Sequence, residues 1–538
     1  MTGAGNEVQA LAGALIGMVD GLQDRDHREL LPPLAGRGQA IAEVLVQLGR
    51  YADGLQGSAR WLRGMRLCRI QADLYGLLGK GGVRGELPTC SLDSEQILDL
   101  KKQVALDRLP AAYEARINQL QRLDLRHSLE ALGTLAPATA MSRQDHDRQF
   151  VVEAPLRLGI SSANASDNHL RTKEQGGKTL NAGIDLQLEG EAAPAPPLRV
   201  RVRRLPAPGL VLRSRSTGFE GDLELSADEV PAAQHQRFFA YRRGGDESLR
   251  LIKQALVHVG IVREENEDIV GQGAAYTGGG GLELETHSKV LQGSGLGTSS
   301  ILAAAILKAL YRLAGHAIAT PEGEYPALYD QSLLLEQSVG LNSGWQDARG
   351  ACGGPSAVKD FYAPPTLGLP APQVQFIPID EQQFVERVVL FNTGLARQAT
   401  RGLNVVLDAY LTREGSRYPA IRESLAIHDQ MVAALSGGDY GLLGRLATRY
   451  WELRCVLDPD ATSPLIRQLF EEPRLCQHCE GGLLTGAGGG GFALLICREG
   501  QASALKEALR HLRQVPGYER SGVVDYRLNR TGLRLSER

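Results

Sequence analysis

The sequence predicts an α+β protein with two mixed lobes and an additional helical region ahead of them. Three observations predict it. Residues 1–148 repeat apolar positions at helical spacing, strand-like alternation begins near Gln149, and two glycine loops punctuate the chain beyond it. The expected division is a helical region over 1–148, a first lobe over 149–386 and a second lobe over 387–538.

In the helical region, "QAIAEVLVQLGRYADGLQ" places Ile41, Val44, Leu45, Leu48 and Leu55 on one face. "SARWLRGMRLCRIQADLYGLL" continues the pattern, with Arg60, Arg63, Arg66 and Arg69 read as a solvated face. "SLDSEQILDLKKQVALDRLPAAYEARINQLQRL", residues 91–123, starts with capping signals and predicts another helix, interrupted at Pro110. No reacting group stands out here, so an appendage or an oligomerisation element is expected.

From Gln149, "QFVVEAPLRLGISSANASDNH" opens as a strand, and "KTLNAGIDLQLEG" and "PLRVRVRRL" read as further strands. "ESLRLIKQALVHVGIV" is an amphipathic helix, and "GQGAAYTGGGG" (271–281) reads as a glycine loop before the strand "LELETHSKV". The helix "YPALYDQSLLLEQSVG" then leads into "LNSGWQDARGACGGP". The second lobe predicts a strand "RVVLFNTGLA", helices to about residue 475, "GGLLTGAGGGGFALLICREG", a helix "SALKEALRHLRQV" and a strand "GVVDYRL".

Composition removes several function classes. The chain has 538 residues, 43% apolar and 22% charged, which supports a folded protein of two to four domains. A net charge of −3 and 5% aromatics argue against nucleic-acid binding. No run of 18 apolar residues predicts a membrane span, and the N-terminus lacks the basic region of a signal peptide. Seven scattered cysteines fit a reducing cytoplasm, the expected location. Cys476 and Cys479 have CxxC spacing but no second ligand pair, so chance spacing is favoured over a metal site.

The stretch Leu291–Ser300, "LQGSGLGTSS", runs straight into the helix "ILAAAILKAL". Gly293, Gly295 and Gly297 cost backbone entropy, which a loop wrapping its N–H groups around an anion would justify. The following helix adds its positive end to the same spot. Ser294, Thr298, Ser299 and Ser300 supply hydroxyls for a phosphate oxygen or magnesium. Ordinary N-capping accounts for hydroxyls but not for alternating glycines. No lysine follows, so this is not the P-loop pattern. Gly486, Gly488 and Gly491 match G-x-G-x-x-G, but a strand is expected after them, which excludes a dinucleotide fingerprint. Phosphoryl transfer also needs a divalent cation and a group that places the acceptor hydroxyl. Glu336 and Asp347 are the carboxylates best placed for those tasks.

Together these motifs resemble the GHMP small-molecule kinases, the superfamily of galactokinase, homoserine kinase and mevalonate kinase. "GSGLGTSSILAAAIL" resembles their second motif, "TGAGGGGFALL" their third, and "EAPLRLGISSANASDN" occupies the place of the first. The likeness covers roughly residues 150–538. Within the superfamily, "GSGLGTSSILA", "GWQD" at Gly344–Asp347, "GAGGGGF", "LRVRVRRL" and "NTGLARQATRGLNVVL" resemble L-fucokinases in particular. "PLRLG" and "GGKTLNAGID" are also similar to D-glycero-D-manno-heptose 7-phosphate kinases.

The resemblance implies a two-lobed GHMP kinase fold and ATP-dependent phosphorylation of the anomeric hydroxyl of L-fucose or a related sugar, with ATP and Mg2+ as cofactors. Gly293, Ser294, Gly295, Leu296, Gly297, Thr298, Ser299 and Ser300 would wrap the ATP phosphates, and Ser300 and Glu336 would hold magnesium. Asp347 would be the catalytic base and Arg157 would lie near the acceptor oxygen. Asp167 would hydrogen-bond the sugar, and Gly488 and Gly489 would belong to the loop closing over the substrate. No pyrophosphorylase-like sequence is evident in 1–148, so a single kinase activity is expected.

One departure bears on the sugar. "SSANASD" lacks the usual glycine pair, and Asp167 stands ten positions after Arg157 rather than nine, so an added residue must bulge. Three other readings stay open: a kinase of another sugar such as a heptose phosphate, using Arg199–Arg204 and Arg171–Lys173; a catalytically silent sugar and ATP sensor; and a superfamily decarboxylase. The expected partners are a small sugar and ATP, not nucleic acid or a membrane, with a homo-oligomer left open.

Overall fold

The computed structural model describes residues 2–80 and 148–538, apart from 22, 24, 56–59, 163, 165, 189, 218, 244–246, 292, 315–318, 321–322, 325, 341–342, 367–369 and 396–398. The helix expected over 91–123 lies outside the described residues.

Helices Thr2–Val19, Gly38–Asp53 and Arg60–Lys80 form the N-terminal region. Their apolar stripes bury Ala12, Leu15, Val44, Leu45, Leu48, Met65 and Leu67 in one cluster. Leu407 and Leu411, from the helix Ala399–Thr412, complete that cluster, so the region is docked on that helix. The reading of the arginines as a solvated face is corrected here. Arg63 pairs with Asp20 at 3.1 Å and Arg69 with Asp408 at 2.9 Å, while Arg66 is only 3% exposed. Periodicity marks the apolar stripe of a helix but not what packs against its polar side.

The rest of the chain builds two main sheets. Strands β1 (Gln149–Ala154), β2 (Leu156–Ser161), β3 (Gly177–Gln187), β4 (Leu198–Leu205), β5 (Gly209–Ser216), β6 (Phe219–Ser226) and β7 (Gly281–Ser288) come first. A short pair, β8 (Ala319–Thr320) and β9 (Gly323–Glu324), precedes β10 (Val358–Ala363), β11 (Gln373–Phe376) and β12 (Val388–Asn392). The last strands are β13 (Cys479–Leu484), β14 (Phe492–Cys497), β15 (Gly522–Leu528) and β16 (Arg534–Glu537). One sheet runs β16-β1-β4-β7-β5-β6; the other runs β11-β10-β3-β15-β12-β14-β13, with β2 beside β3. The expected boundary at 387 adjoins β12, yet pairing crosses it twice. Tyr526 of β15 faces Leu186 of β3, and Ser536 of β16 faces Val151 of β1.

Alternation along β4 buries Leu198, Val200 and Val202 and turns its arginines outward. Those arginines meet carboxylates of β7: Arg201 lies 3.0 Å from Glu283, which also takes Arg203 and Arg213. The helix Thr298–Leu313 is buried along almost its whole length, and Ala303, Ala304 and Ala305 let it pack closely on β1 and β4.

The loop expected over 271–281 is also corrected, because its first half is the helix Ile269–Tyr276. Asp268 caps this helix, accepting from Gly271 N at 2.7 Å. A side chain at 271 would place its Cβ 2.0 Å from that carboxylate, so the glycine serves the cap. Among the described residues no helix is long and apolar enough to cross a membrane.

Candidate active site

The glycine loop comes first. Gly293, Gly295 and Gly297 have φ of 78°, 80° and 73°, a left-handed conformation at every second residue. Alternating backbone hand aims successive N–H groups to one side, forming a concavity suited to an anion. Gly297 is the N-cap of the helix Thr298–Leu313 and makes no side-chain cap bond, so the first N–H groups of the helix face the same concavity. Ser294 and Thr298 hydroxyls lie 3.0 Å apart across the loop, and Leu296 is fully buried as its anchor.

The second glycine loop supports the first from behind. Thr485 Oγ1 donates to Gly295 O at 2.7 Å, and Phe492 N donates to Ser294 O at 3.2 Å. A Cβ at Gly295 would lie 2.4 Å from Thr485 O, which fixes glycine there by space as well as by backbone hand. β14 follows this loop, so no helix end faces a dinucleotide. Gly488 and Gly489 sit against the short helix Pro459–Ala461: a Cβ at 488 would meet Ala461 O at 2.8 Å, and Gly489 N donates to the same oxygen. The buried Arg454 holds this loop too, donating to Ala487 O at 3.0 and 2.8 Å.

Arg157, Asp347, Asp167 and Glu336 come from different elements. Asp347 stands in the first turn of the short helix Gln346–Gly350. Arg157 of β2 donates through Nε to Asp347 Oδ1 at 2.9 Å and through Nη1 to Gly295 O at 3.3 Å, tying the carboxylate to the glycine loop. Arg157 N also donates to Leu296 O at 3.1 Å. Asp167 O accepts from Trp345 N at 3.2 Å, and a Cβ at Gly344 would lie 1.7 Å from Asp167 Oδ2. Burial, followed by the Asp347 charge, pushes the Asp167 carboxyl up to about 7 against the pull of Arg157.

Glu336 ends up 1% exposed near the close of the helix Pro326–Ser338. Its Oε2 accepts from Ser343 Oγ at 2.7 Å and from Ser300 Oγ, and Ser299 bonds the same carboxylate. Burial pushes it up to about 7 despite those hydroxyls. One carboxylate with hydroxyl oxygens beside the glycine loop suits a hard cation such as Mg2+. Among the described residues no group of three His, Cys, Asp or Glu side chains forms a metal cluster.

The first motif carries the bulge that its added residue predicts. The pairing of β2 with β3 shifts register between Gly159 and Ser161, and Asn164 takes a left-handed φ of 63°. The segment is pinned to the helices Tyr418–Ser436 and Tyr440–Leu457: Asn164 Nδ2 donates to Ser424 Oγ at 3.0 Å and to Tyr450 O at 3.2 Å. Ser161 Oγ lies 2.6 Å from His428 Nδ1, whose Nε2 lies 3.0 Å from Asp360 Oδ1, making a bridge from β2 through the helix Tyr418–Ser436 to β10. A histidine 267 positions away leaves no local signal for this contact.

With this geometry in view, residues 262–354 match the family described as GHMP kinases N terminal domain, and residues 431–513 match GHMP kinases C terminal. The chain is thus similar to GHMP kinases over two segments, one on either side of β12. Its curated relatives include the bifunctional fucokinase/GDP-fucose pyrophosphorylase of Arabidopsis thaliana, 30% identical over 270 residues, which covers 49% of this chain and 24% of that protein. The L-fucokinase/L-fucose-1-P guanylyltransferase of Bacteroides fragilis is 25% identical over 398 residues, covering 71% of this chain and 38% of that one. The chain thus spans 24% and 38% of the length of these two relatives. The D-glycero-alpha-D-manno-heptose 7-phosphate kinase of Campylobacter jejuni is 24% identical over 255 residues, 47% of this chain and 70% of that one. Among solved structures, Lactococcus lactis galactokinase complexed with galactose aligns at a TM-score of 0.49 and 17% identity, covering 77% of this chain and 98% of that one.

Proposed function

We propose that the chain transfers the terminal phosphoryl group of ATP to the anomeric hydroxyl of L-fucose or a closely related sugar, giving the sugar 1-phosphate. The observation that carries this reading is the Asp347 carboxylate, held by Arg157 at 2.9 Å beside a left-handed glycine loop that opens a helix. Backbone N–H groups of Gly293–Ser300 hold the phosphates. Asp347 accepts the proton of the sugar hydroxyl as its oxygen bonds to phosphorus and the bond to the ADP oxygen breaks. Arg157 orients Asp347 and offsets negative charge at the transfer point. Asp167 hydrogen-bonds sugar hydroxyls. Ser300 and Glu336 would hold Mg2+, which when bound neutralises phosphate charge. Catalysis is then mainly positioning and electrostatics.

The two fucokinase-type relatives support the choice of sugar. The Campylobacter relative favours a second reading, a heptose phosphate kinase. We also propose the lobe division 149–386 and 387–538, and a cytoplasmic location on the free state of the described cysteines.

The test is ADP release across a panel of free sugars and sugar phosphates, with the product position fixed by phosphorus NMR. Phosphate on C1 of L-fucose supports the first reading. Turnover only of a heptose phosphate supports the second. Binding of sugar or ATP without turnover of any panel member overturns both and leaves a sensor.

A further inference from the structure

The seven-residue helix His169–Gln175 starts two residues after Asp167 and touches the candidate site on one side and the N-terminal helical region on the other. On the site side, Thr172 Oγ1 accepts from Trp345 Nε1 at 3.0 Å. Trp345 is buried, donates its N–H to Asp167 O, and stands two residues before Asp347. A shift of this helix therefore moves both Asp167 and the segment bearing Asp347.

On the other side stands Glu174. Arg66 grips it with two parallel bonds of 2.6 Å each, and Arg66 is 3% exposed. Tyr410 and Arg413 of the second lobe complete the cluster, Arg413 through Nη2 at 3.0 Å. Arg413 and Asn164 are the described non-glycine residues with positive φ, and Arg413, at 55°, lies with its guanidinium over the rings of Tyr410 and Tyr418. The turn at Gly21 closes over the pair: a Cβ there would lie 3.3 Å from Arg66 Nη1 and 3.6 Å from Glu174 Oε1. Burial works to raise the Glu174 carboxyl, but Arg66 and Arg413 outweigh it and hold it below its ordinary value. Without Arg66, Glu174 keeps Arg413 and Tyr410 but loses the two-pronged grip that ties it to the N-terminal region, so its position changes and not only the docking surface.

We infer that the N-terminal helical region forms part of the acceptor half of the site, with Arg66 a positioning residue that fixes Asp167 and the Trp345–Asp347 segment through Glu174 and the helix His169–Gln175. This rests on the kinase reading for the roles of Asp167 and Asp347. It does not rest on it for the mechanical coupling.

The experiment uses the full chain with Arg66→Met, Arg66→Lys and Glu174→Gln, varying sugar and ATP separately. Arg66→Met is expected to raise the acceptor KM about tenfold while the ATP KM stays within about twofold. Arg66→Lys is expected to fall between, because one ammonium cannot replace a two-pronged contact. Hydrogen exchange should quicken in 167–175 and 345–350 and stay unchanged in β14, both in Arg66→Met and in the shape-conserving Glu174→Gln. An unchanged acceptor KM, or a rise in both KM values with faster exchange everywhere, overturns the inference. If the unmodified chain turns over no sugar, the kinase reading fails, and exchange in 167–175 still decides the coupling: quickening upholds it and no change ends it.

Discussion

At Gly344 an added methyl group would lie 1.7 Å from an Asp167 carboxylate oxygen, so one of the two must move. Gly344→Ala should displace Asp167 from the sugar side while leaving the glycine loop in place. The expected outcome is an acceptor KM raised about tenfold or more with the ATP KM little changed, read by steady-state kinetics. Equal loss for both substrates would mean that Asp167 does not face the sugar. The sequence marks the "GWQD" stretch as a candidate site segment, but the reason for its glycine is a contact with a residue 177 positions earlier, which only the fold supplies.

Among the elements, the glycine loop was the most legible, because three left-handed residues in alternation leave few alternatives to glycine. The helix Ile269–Tyr276 was not, since its glycines suggest a turn and the Asp268 cap that starts it is a weak signal. Arg66 was misread for a related reason: arginine on a helix face usually means solvent, and Glu174 lies 108 positions away. The bridge Ser161–His428–Asp360 joins three elements in the same hidden way. His428→Ala should leave Ser161 and Asp360 without their bridge and cost about 1–3 kcal/mol. A thermal melt lowered by several degrees checks this; an unchanged midpoint would show that the bridge adds nothing to stability.

For the whole molecule, two late strands pair with early ones, β15 beside β3 and β16 beside β1, and complete both main sheets. Stability in the absence of ligand should carry the signature of the buried site carboxyls. Asp167, raised to about 7, binds its proton more tightly folded than unfolded, where an aspartate titrates near about 4. The folded state therefore holds extra protons between those values, and its stability falls as pH rises through that window. Glu336 shifts in the same direction. Thermal melts between pH 5 and pH 8 should show the midpoint falling, with a smaller fall in Asp167→Asn. An identical fall in that variant would mean that Asp167 keeps an ordinary carboxyl in the folded chain.

The central claim is that Asp347 acts as the base in phosphoryl transfer to a free sugar. Its most direct test is ADP release from ATP, magnesium and L-fucose by the unmodified chain and by Asp347→Ala, with ATP binding measured in both. Turnover should fall about a hundredfold or more in the variant, with ATP affinity kept within a few-fold. Turnover that survives the substitution would contradict it.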